Sequence, residues 1–163
     1  MRSLVWYVAV AITLSACSPS MSGVVDEPDL TVAHGCGFGF ALGDEDQTTG
    51  LVVTFLDFEA AEKGDVGGEY QLPGGAWDAD LTFGRDLFSN WCDDVIEPGE
   101  PEVVIEKAYS VWGRLVINEL PEAGTCGPAS GTLFDASYLN DVDRRIDLGD
   151  IALTNEFWGC FAG

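Results

Sequence analysis

Carboxylates are the most abundant side chains of this chain that could do chemistry: 28 Asp and Glu stand against 7 Lys and Arg, and the formal charge is -21. Acids clustered in turns can supply the six to eight oxygen ligands that calcium prefers. No cluster has the glycine and glutamate of an EF-hand loop, and aspartate is common in turns because it hydrogen-bonds the backbone there. Calcium is therefore a weak expectation. The candidate ligands are Asp44, Asp46, Asp141, Asp143, Asp147 and Asp150.

Nucleophilic catalysis finds little support in the sequence. A serine or cysteine nucleophile needs a base, and the single histidine, His34, is accompanied by no G-x-S-x-G motif. Carboxylate pairs of the kind a hydrolase uses occur by chance among so many acids, so no pair stands out. The glycine-rich run 35–39 leads into strand-like residues and not into a helix, which argues against a phosphate loop. No catalytic residue is therefore named.

Tryptophan side chains offer a third kind of chemistry, the stacking of sugar rings. The candidates are Trp77, Trp91, Trp112 and Trp158. Aromatic rings also fill the core of a small β domain, and the two tryptophans that shortly precede cysteines are placed to pack on disulfides. We expect core packing for most of them, with carbohydrate binding as the alternative.

Four cysteines in the body of the chain, Cys36, Cys92, Cys126 and Cys160, predict two disulfides. Zinc is the rival, but none of the four lies in a CxxC pair and only one histidine is present. Three pairings are open. The nested one, 36 with 160 and 92 with 126, is favoured because it needs no chain crossing and because 92 and 126 flank an apparent hairpin.

The elements that must position these residues read as short strands between turns. The run 51–58 is dense in β-branched and aromatic residues. Residues 103–111 alternate and continue through Gly113 into 115–119, a pattern typical of a hairpin. Only 85–91 favours a helical turn or two. Weaker strands are predicted at 37–42, 76–83, 132–139 and 146–154, each bounded by Gly, Pro, Asn or Asp.

About seven short strands with 20 Gly and 7 Pro, and no helix-length apolar stripe, predict an all-β fold. An antiparallel β-sandwich is the expected architecture, with a small β-barrel as the alternative. A domain of about 130 residues buries roughly two thirds of its unfolded surface, so two disulfides would support a core without replacing it.

The N-terminus carries the features of an export signal. Arg2 gives a positive flank, 4–14 is almost entirely apolar, and small residues follow. The apolar run is well short of the roughly 20 residues that span a membrane as a helix. The signal ends in Leu14-Ser15-Ala16-Cys17, which resembles the lipobox of bacterial lipoproteins. The resemblance covers residues 1–17 alone and implies that Cys17 is diacylated, with palmitate-like chains, and becomes the first mature residue.

These features together predict a signal peptide at 1–16, a lipidated cysteine and flexible tether at 17–29, and one domain at 30–163. Two or more acyl chains give durable attachment to a membrane, so we expect the protein at the extracytoplasmic side of a bacterial cell membrane. The large negative charge repels phosphate backbones and disfavours nucleic acid as a partner. A non-catalytic binding or structural module of the cell envelope is the expected function. The alternatives are an acid-based or calcium-dependent hydrolase and a carbohydrate-binding module.

Overall fold

A computed structural model of the chain describes residues 28–63, 65–89, 91–92 and 98–160. The predicted signal peptide, Cys17 and most of the predicted tether lie outside these residues. The described residues form nine strands and one short helix. These are β1 Val32–Ala33, β2 Cys36–Gly37, β3 Gly39–Gly43, β4 Thr49–Phe55, α1 Phe58–Glu62, β5 Gly68–Leu72, β6 Trp77–Arg85, β7 Val104–Glu119, β8 Gly127–Leu139 and β9 Arg145–Trp158.

The strands form one strongly curled sheet in the order β1-β3-β4-β6-β7-β8-β9-β2, with β5 also paired to β7. Neighbours are antiparallel except β2 and β9, which run parallel. The first half of β7 pairs with β6, and its second half pairs with β5 and β8. The sheet therefore bends across β7 and faces itself, as an open half-barrel. The prediction of an all-β fold with two disulfides is confirmed.

The core lies inside the curl, where side chains from the concave face of the sheet pack against one another. Alternate residues of β4 and β6 point inward as directly opposed pairs, Leu51 with Leu81 and Phe55 with Trp77. The Trp77 ring lies 5.0 Å from that of Phe55 and 6.1 Å from that of Trp158. These side chains are at most 3 % exposed. Burying each large apolar side chain contributes about 1.5–3 kcal/mol to the free energy of unfolding.

The two ends of the sheet meet through Asn155, which is 1 % exposed. Its Nδ2 donates to the carbonyl of Gly39 at 2.6 Å, and its Oδ1 accepts from the amide of Phe157 at 2.7 Å. β2 pairs with β9 and leads through Phe38 into β3. The buried side-chain amide of Asn155 therefore links β9, the last strand, to the start of β3.

The predictions of local structure differ from the observed strands and turns at three points. The predicted hairpin at 103–119 is wrong, because Val104–Glu119 form the single strand β7. The predicted strand 51–58 stops at Phe55, because Asp57 caps α1 by accepting from the amide of Ala60 at 3.1 Å. The predicted helical turns at 85–91 are isolated turns, including one closed from the amide of Trp91 to the carbonyl of Phe88 at 3.2 Å.

The disulfides join Cys36 to Cys92 and Cys126 to Cys160, so the nested pairing is wrong. Their Cα–Cα distances of 5.8 and 4.9 Å lie in the usual range. The cause is the pairing of β8 with β9. Gly127 lies opposite Trp158, which brings the residue before β8 beside the residue that follows β9 by two positions. Within the described residues, no helix has the length and apolar character needed to span a membrane.

Candidate functional site

Three aromatic rings line one open end of the half-barrel, where the inward face of the sheet continues beyond the core. Phe83 lies near the end of β6, Tyr109 in β7 and Tyr138 near the end of β8. The ring centroids of Tyr109 and Tyr138 are 5.2 Å apart, and that of Phe83 is 5.9 Å from Tyr109 and 6.5 Å from Tyr138. We call this hollow the aromatic mouth. Its volume of about 350 Å³ lies within the range of small-ligand sites.

A hydrogen-bonded polar group forms the rim of the aromatic mouth. Asp141 Oδ1 accepts from the hydroxyl of Tyr109 at 2.6 Å, and its other oxygen accepts from the ammonium of Lys107. Lys107 and Tyr109 are two residues apart on β7, so both project on the inward side of the strand. The rim thus carries a cation, an anion and a phenol held against one another.

The turn between β8 and β9 places Asp141. Asn140 Oδ1 accepts from the amides of Val142 at 3.2 Å and Arg144 at 3.0 Å, and the backbone of Asn140 bonds that of Arg144 and Asp143. This is the local hydrogen bonding for which Asn is favoured in turns. The turn holds the carboxylate of Asp141 over the aromatic mouth and leaves Val142, 76 % exposed, at its edge.

The electrostatics of the aromatic mouth favour hydrogen bonding over proton transfer. The bonds from Lys107 and Tyr109 hold the pKa of Asp141 below its usual value, and the bond to Asp141 raises the pKa of Lys107. The hydrogen bond from Tyr109 to Asp141 raises the pKa of Tyr109, and burial raises the pKa of Tyr138. Each shift moves the group away from neutral pH, whereas an efficient acid or base titrates near the working pH.

Tyr138 supplies the free hydrogen-bonding capacity of the aromatic mouth. Its side chain is 3 % exposed, and its hydroxyl has no hydrogen-bond partner within the part of the chain that the structure describes. A ligand in the aromatic mouth would meet three ring faces and this hydroxyl together.

A larger hollow, about 400 Å³, lies at the opposite end of the half-barrel, next to the disulfide of Cys126. Apolar residues such as Phe38, Val66 and Leu120 form much of its wall. The charged residues among its described lining are Glu62 and Glu122. Its two aromatic rings, Phe38 and Trp158, pack on each other at 5.7 Å, and the hydroxyl of Thr125 already donates to the carbonyl of Glu122 at 2.6 Å.

His34 lines a hollow of about 250 Å³ beside the disulfide of Cys92. Its ring stacks on Phe88 at 4.2 Å, burial lowers its pKa, and its Nε2 is buried without a hydrogen-bond partner among the described atoms. The nearby Ser89 hydroxyl donates to the carbonyl of Asp86 at 2.8 Å. His34 is therefore a packed residue here, and its Nε2 activates no described nucleophile.

The six aspartates named as calcium candidates are not gathered into one group. Four of their carboxylates accept nearby hydrogen bonds: Asp44 from Thr48 and Thr49, Asp141 from Lys107 and Tyr109, Asp147 from the amide of Gly149, and Asp150 from the amide of Asp135. Among the described residues, no three His, Cys, Asp or Glu side chains are close enough to hold a metal ion.

The other carboxylates of interest are Asp78 and Asp80, which share the outer face of β6. Burial, then the neighbouring charge of Asp78, raises the pKa of Asp80, and a weak hydrogen bond from Ser110 at 3.5 Å opposes this. A paired hydrolase site has one such acid. Neither carboxylate, however, lines the aromatic mouth or the other hollows described here.

The four candidate tryptophans divide into a buried pair and an exposed pair. Trp77 and Trp158 are 1 % and 3 % exposed and form the centre of the core, whereas Trp91 and Trp112 are 37 % and 38 % exposed. Stacking on a sugar is therefore open to the second pair alone.

The aromatic mouth is not among the sites predicted from the sequence. The signal that could have found it is the alternation within 103–111, which places Lys107 and Tyr109 on the face of β7 that carries the core residue Val111. Polar and aromatic residues that extend an inward-facing row indicate the rim of a β-barrel. The contribution of Asp141 depends on the turn at Asn140 and could not be read from spacing.

Comparison with known proteins gives no match: no protein-family model, curated protein or solved structure is significantly similar to this chain.

Proposed function

We propose that this chain is a lipid-anchored, non-catalytic binding module at the extracytoplasmic side of a bacterial membrane, and that the aromatic mouth binds an uncharged sugar. The observation that carries the ligand proposal is the aromatic mouth itself. Rings of Phe83, Tyr109 and Tyr138 converge on a hollow of about 350 Å³, and the Tyr138 hydroxyl makes no hydrogen bond to another described residue.

The charges of the rim support an uncharged ligand. Among the described residues that line the aromatic mouth, the one cation is Lys107, and it is already paired with Asp141. An anionic ligand would face this carboxylate in a chain of charge -21, and a cationic ligand would have to displace the ammonium. Sugar hydroxyls need no charge partner and can bond the phenol of Tyr138 while the ring lies on an aromatic face.

The anchor proposal rests on the lipobox Leu14-Ser15-Ala16-Cys17, which lies outside the described residues. Its test is metabolic labelling of the full chain with palmitate, followed by membrane fractionation, for the parent and for Cys17→Ala. We expect label and membrane retention in the parent alone. Labelling of Cys17→Ala to the same extent would overturn lipidation at this residue.

The ligand proposal is tested on the full chain in detergent. A microarray of neutral oligosaccharides identifies the best ligand, and titration calorimetry compares the parent with Tyr138→Phe and Tyr109→Ala. We expect about a tenfold loss of affinity for the first, which loses one hydrogen bond to the ligand, and loss of binding for the second. Tyr70→Phe is the matched control, because the Tyr70 hydroxyl bonds the carbonyls of Val66 and Gly67 far from the aromatic mouth.

The alternative of a hydrolase is decided in the same samples. Incubation of the bound oligosaccharide with the parent should release no new reducing ends, whether or not calcium is present. Release that Asp80→Asn abolishes would make the protein an enzyme and overturn the non-catalytic part of the proposal.

A further inference from the structure

A further hollow lies on the outer face of the sheet, where β7, β8 and β9 run side by side. Four residues form it as two directly opposed pairs: Trp112 faces Ser137 across β7 and β8, and Leu139 faces Arg145 across β8 and β9. We call it the Trp112 groove. Its volume is about 200 Å³, enough for part of a ligand or a single ring and less than a typical drug-sized site.

The apolar side of the Trp112 groove is partly open to solvent. Trp112 is 38 % exposed and Leu139 is 39 % exposed. An exposed indole presents a flat face on which a sugar ring can stack, and an aliphatic side chain beside it limits how the ring lies.

Ser137 gives the Trp112 groove an unmet hydrogen bond. Its side chain is 1 % exposed, and its Oγ is buried without a partner among the described atoms. Buried hydroxyls are nearly always hydrogen-bonded, and an exception requires an explanation. A ligand hydroxyl in the groove would provide the missing partner.

Arg145 supplies the charge. No carboxylate lies within ion-pair distance of its guanidinium among the described residues, although the chain has 28 acids. The nearest acid on the same face of β9, Asp147, has its Oδ1 engaged by the amide of Gly149 at 3.0 Å. A guanidinium binds a carboxylate through two parallel hydrogen bonds.

We propose that the Trp112 groove binds an acidic sugar of the uronic acid type. The ring would lie on the indole of Trp112, its carboxylate would pair with Arg145, and one of its hydroxyls would bond Ser137 Oγ. The net negative charge of the protein opposes anions at long range, but this repulsion is screened beyond about 8 Å at physiological ionic strength. The short-range pair with Arg145 therefore decides the preference.

The proposal is independent of the aromatic mouth, and its test separates the two sites. Titration calorimetry on the full chain in detergent uses glucuronate, glucose of the same ring shape, acetate and a polyglucuronate. We expect glucuronate to bind at least about tenfold more tightly than glucose or acetate, because it alone supplies both a ring and a carboxylate. Binding of the free monosaccharide distinguishes a one-ring site from one that needs the polymer.

Substitutions test whether glucuronate binds in the Trp112 groove. Arg145→Gln should remove the preference for glucuronate over glucose, and Trp112→Ala should abolish binding, while Trp91→Ala, at an equally exposed tryptophan elsewhere, should retain it. Ser137→Ala should lower affinity and yet raise the melting temperature, because the unpartnered hydroxyl is removed. A purely structural Ser137 would not lower affinity.

Three results would overturn the proposal: no binding of glucuronate or its polymer, equal binding of glucose and glucuronate, or unchanged glucuronate affinity in Arg145→Gln with an unchanged melting temperature. If Arg145→Gln does not fold, Arg145→Lys keeps the charge but loses the paired hydrogen bonds, and it must still weaken binding. Tyr138→Phe should leave glucuronate binding unchanged, so failure here and failure of the aromatic mouth are distinguishable.

Discussion

At the scale of the residue, acidic side chains in this protein mainly accept hydrogen bonds from the turns in which they lie. Asp44 accepts from the amide of Thr48 at 2.7 Å, from the Thr48 hydroxyl at 2.5 Å and from the amide of Thr49 at 3.2 Å, and so closes the turn between β3 and β4. Partial burial tends to raise the pKa of Asp44, but these bonds outweigh it and hold the pKa below its usual value. The carboxylate of Asp44, the first of the calcium candidates along the chain, thus already accepts hydrogen bonds from its own turn.

This residue predicts a pH-dependent effect. Asp44→Ala should lower the free energy of unfolding by about 1 kcal/mol at neutral pH, as loss of a comparable cap does. Because the folded-state pKa lies below the unfolded value of about 3.9, the stabilisation is present above that pH and is lost as the pH falls through the folded-state pKa. Urea titrations of the two proteins between pH 7 and pH 2 should therefore converge at the acid end.

The control for Asp44 is Asp46, an exposed residue of the same turn. Asp46→Ala should change the free energy of unfolding by no more than about 0.5 kcal/mol, as most surface substitutions do. A stability loss in Asp44→Ala that stays constant down to pH 2 would show that the carboxylate charge has no part in it.

At the scale of the element, β7 determines the architecture. Its residues alternate as a strand should, and Gly113 in the middle favours the turn of a hairpin. The chain instead continues straight through a register shift between Trp112 and Arg114 and passes from one half of the sheet to the other. A methyl group on Gly113 would lie 2.9 Å from both the carbonyl of Phe134 and a methyl group of Leu133. The glycine is required by close packing and not by a turn.

Substitution of Gly113 tests this interpretation. Gly113→Ala should lower the free energy of unfolding by about 1–3 kcal/mol through overpacking against the backbone of β8. Gly67→Ala is the matched control, since its added methyl group would meet nothing within 4 Å. Chemical denaturation measures both, and a Gly113→Ala protein as stable as the parent would mean that β8 can shift to make room.

The strands could be predicted from the sequence, whereas the pairing of the strands could not. Inward rows such as Leu51, Val53 and Phe55 have a strand period that is visible without the fold, so the strands and the all-β class follow from it. The continuity of β7, the cysteine pairing and the Trp112 groove depend on which strands become neighbours. Trp112 and Ser137 are 25 positions apart and meet only because β7 pairs with β8. Local pattern carries no information on that pairing.

At the scale of the whole molecule, the two disulfides close the ends of the curled sheet. The bond from Cys36 ties the start of the sheet to the turns after β6, and the bond from Cys126 ties β8 to the C-terminal end of β9. They close loops of 56 and 34 residues. In the chain-entropy model, each should stabilise the fold by about 4 kcal/mol.

Disulfide mapping under non-reducing conditions should therefore yield the peptides 36–92 and 126–160. Removal of either pair by double Cys→Ser substitution should lower the melting temperature. Recovery of a peptide joining Cys36 to Cys160 would restore the nested pairing and contradict the packing of β9 against β8 described here.

The charge of the whole molecule leads to the final prediction. With 28 acids against 7 bases, self-repulsion should be relieved by any added salt, whichever cation provides the screening. The melting temperature should thus rise with sodium chloride and show no further saturable step with calcium at matched ionic strength. Binding of calcium to the folded state alone would add about 2.7 kcal/mol at a hundredfold excess over its dissociation constant. If such a step appears and Asp44→Asn or Asp141→Asn removes it, the hydrogen bonds of that aspartate are exchanged for calcium, and the site is identified by the variant that loses the step.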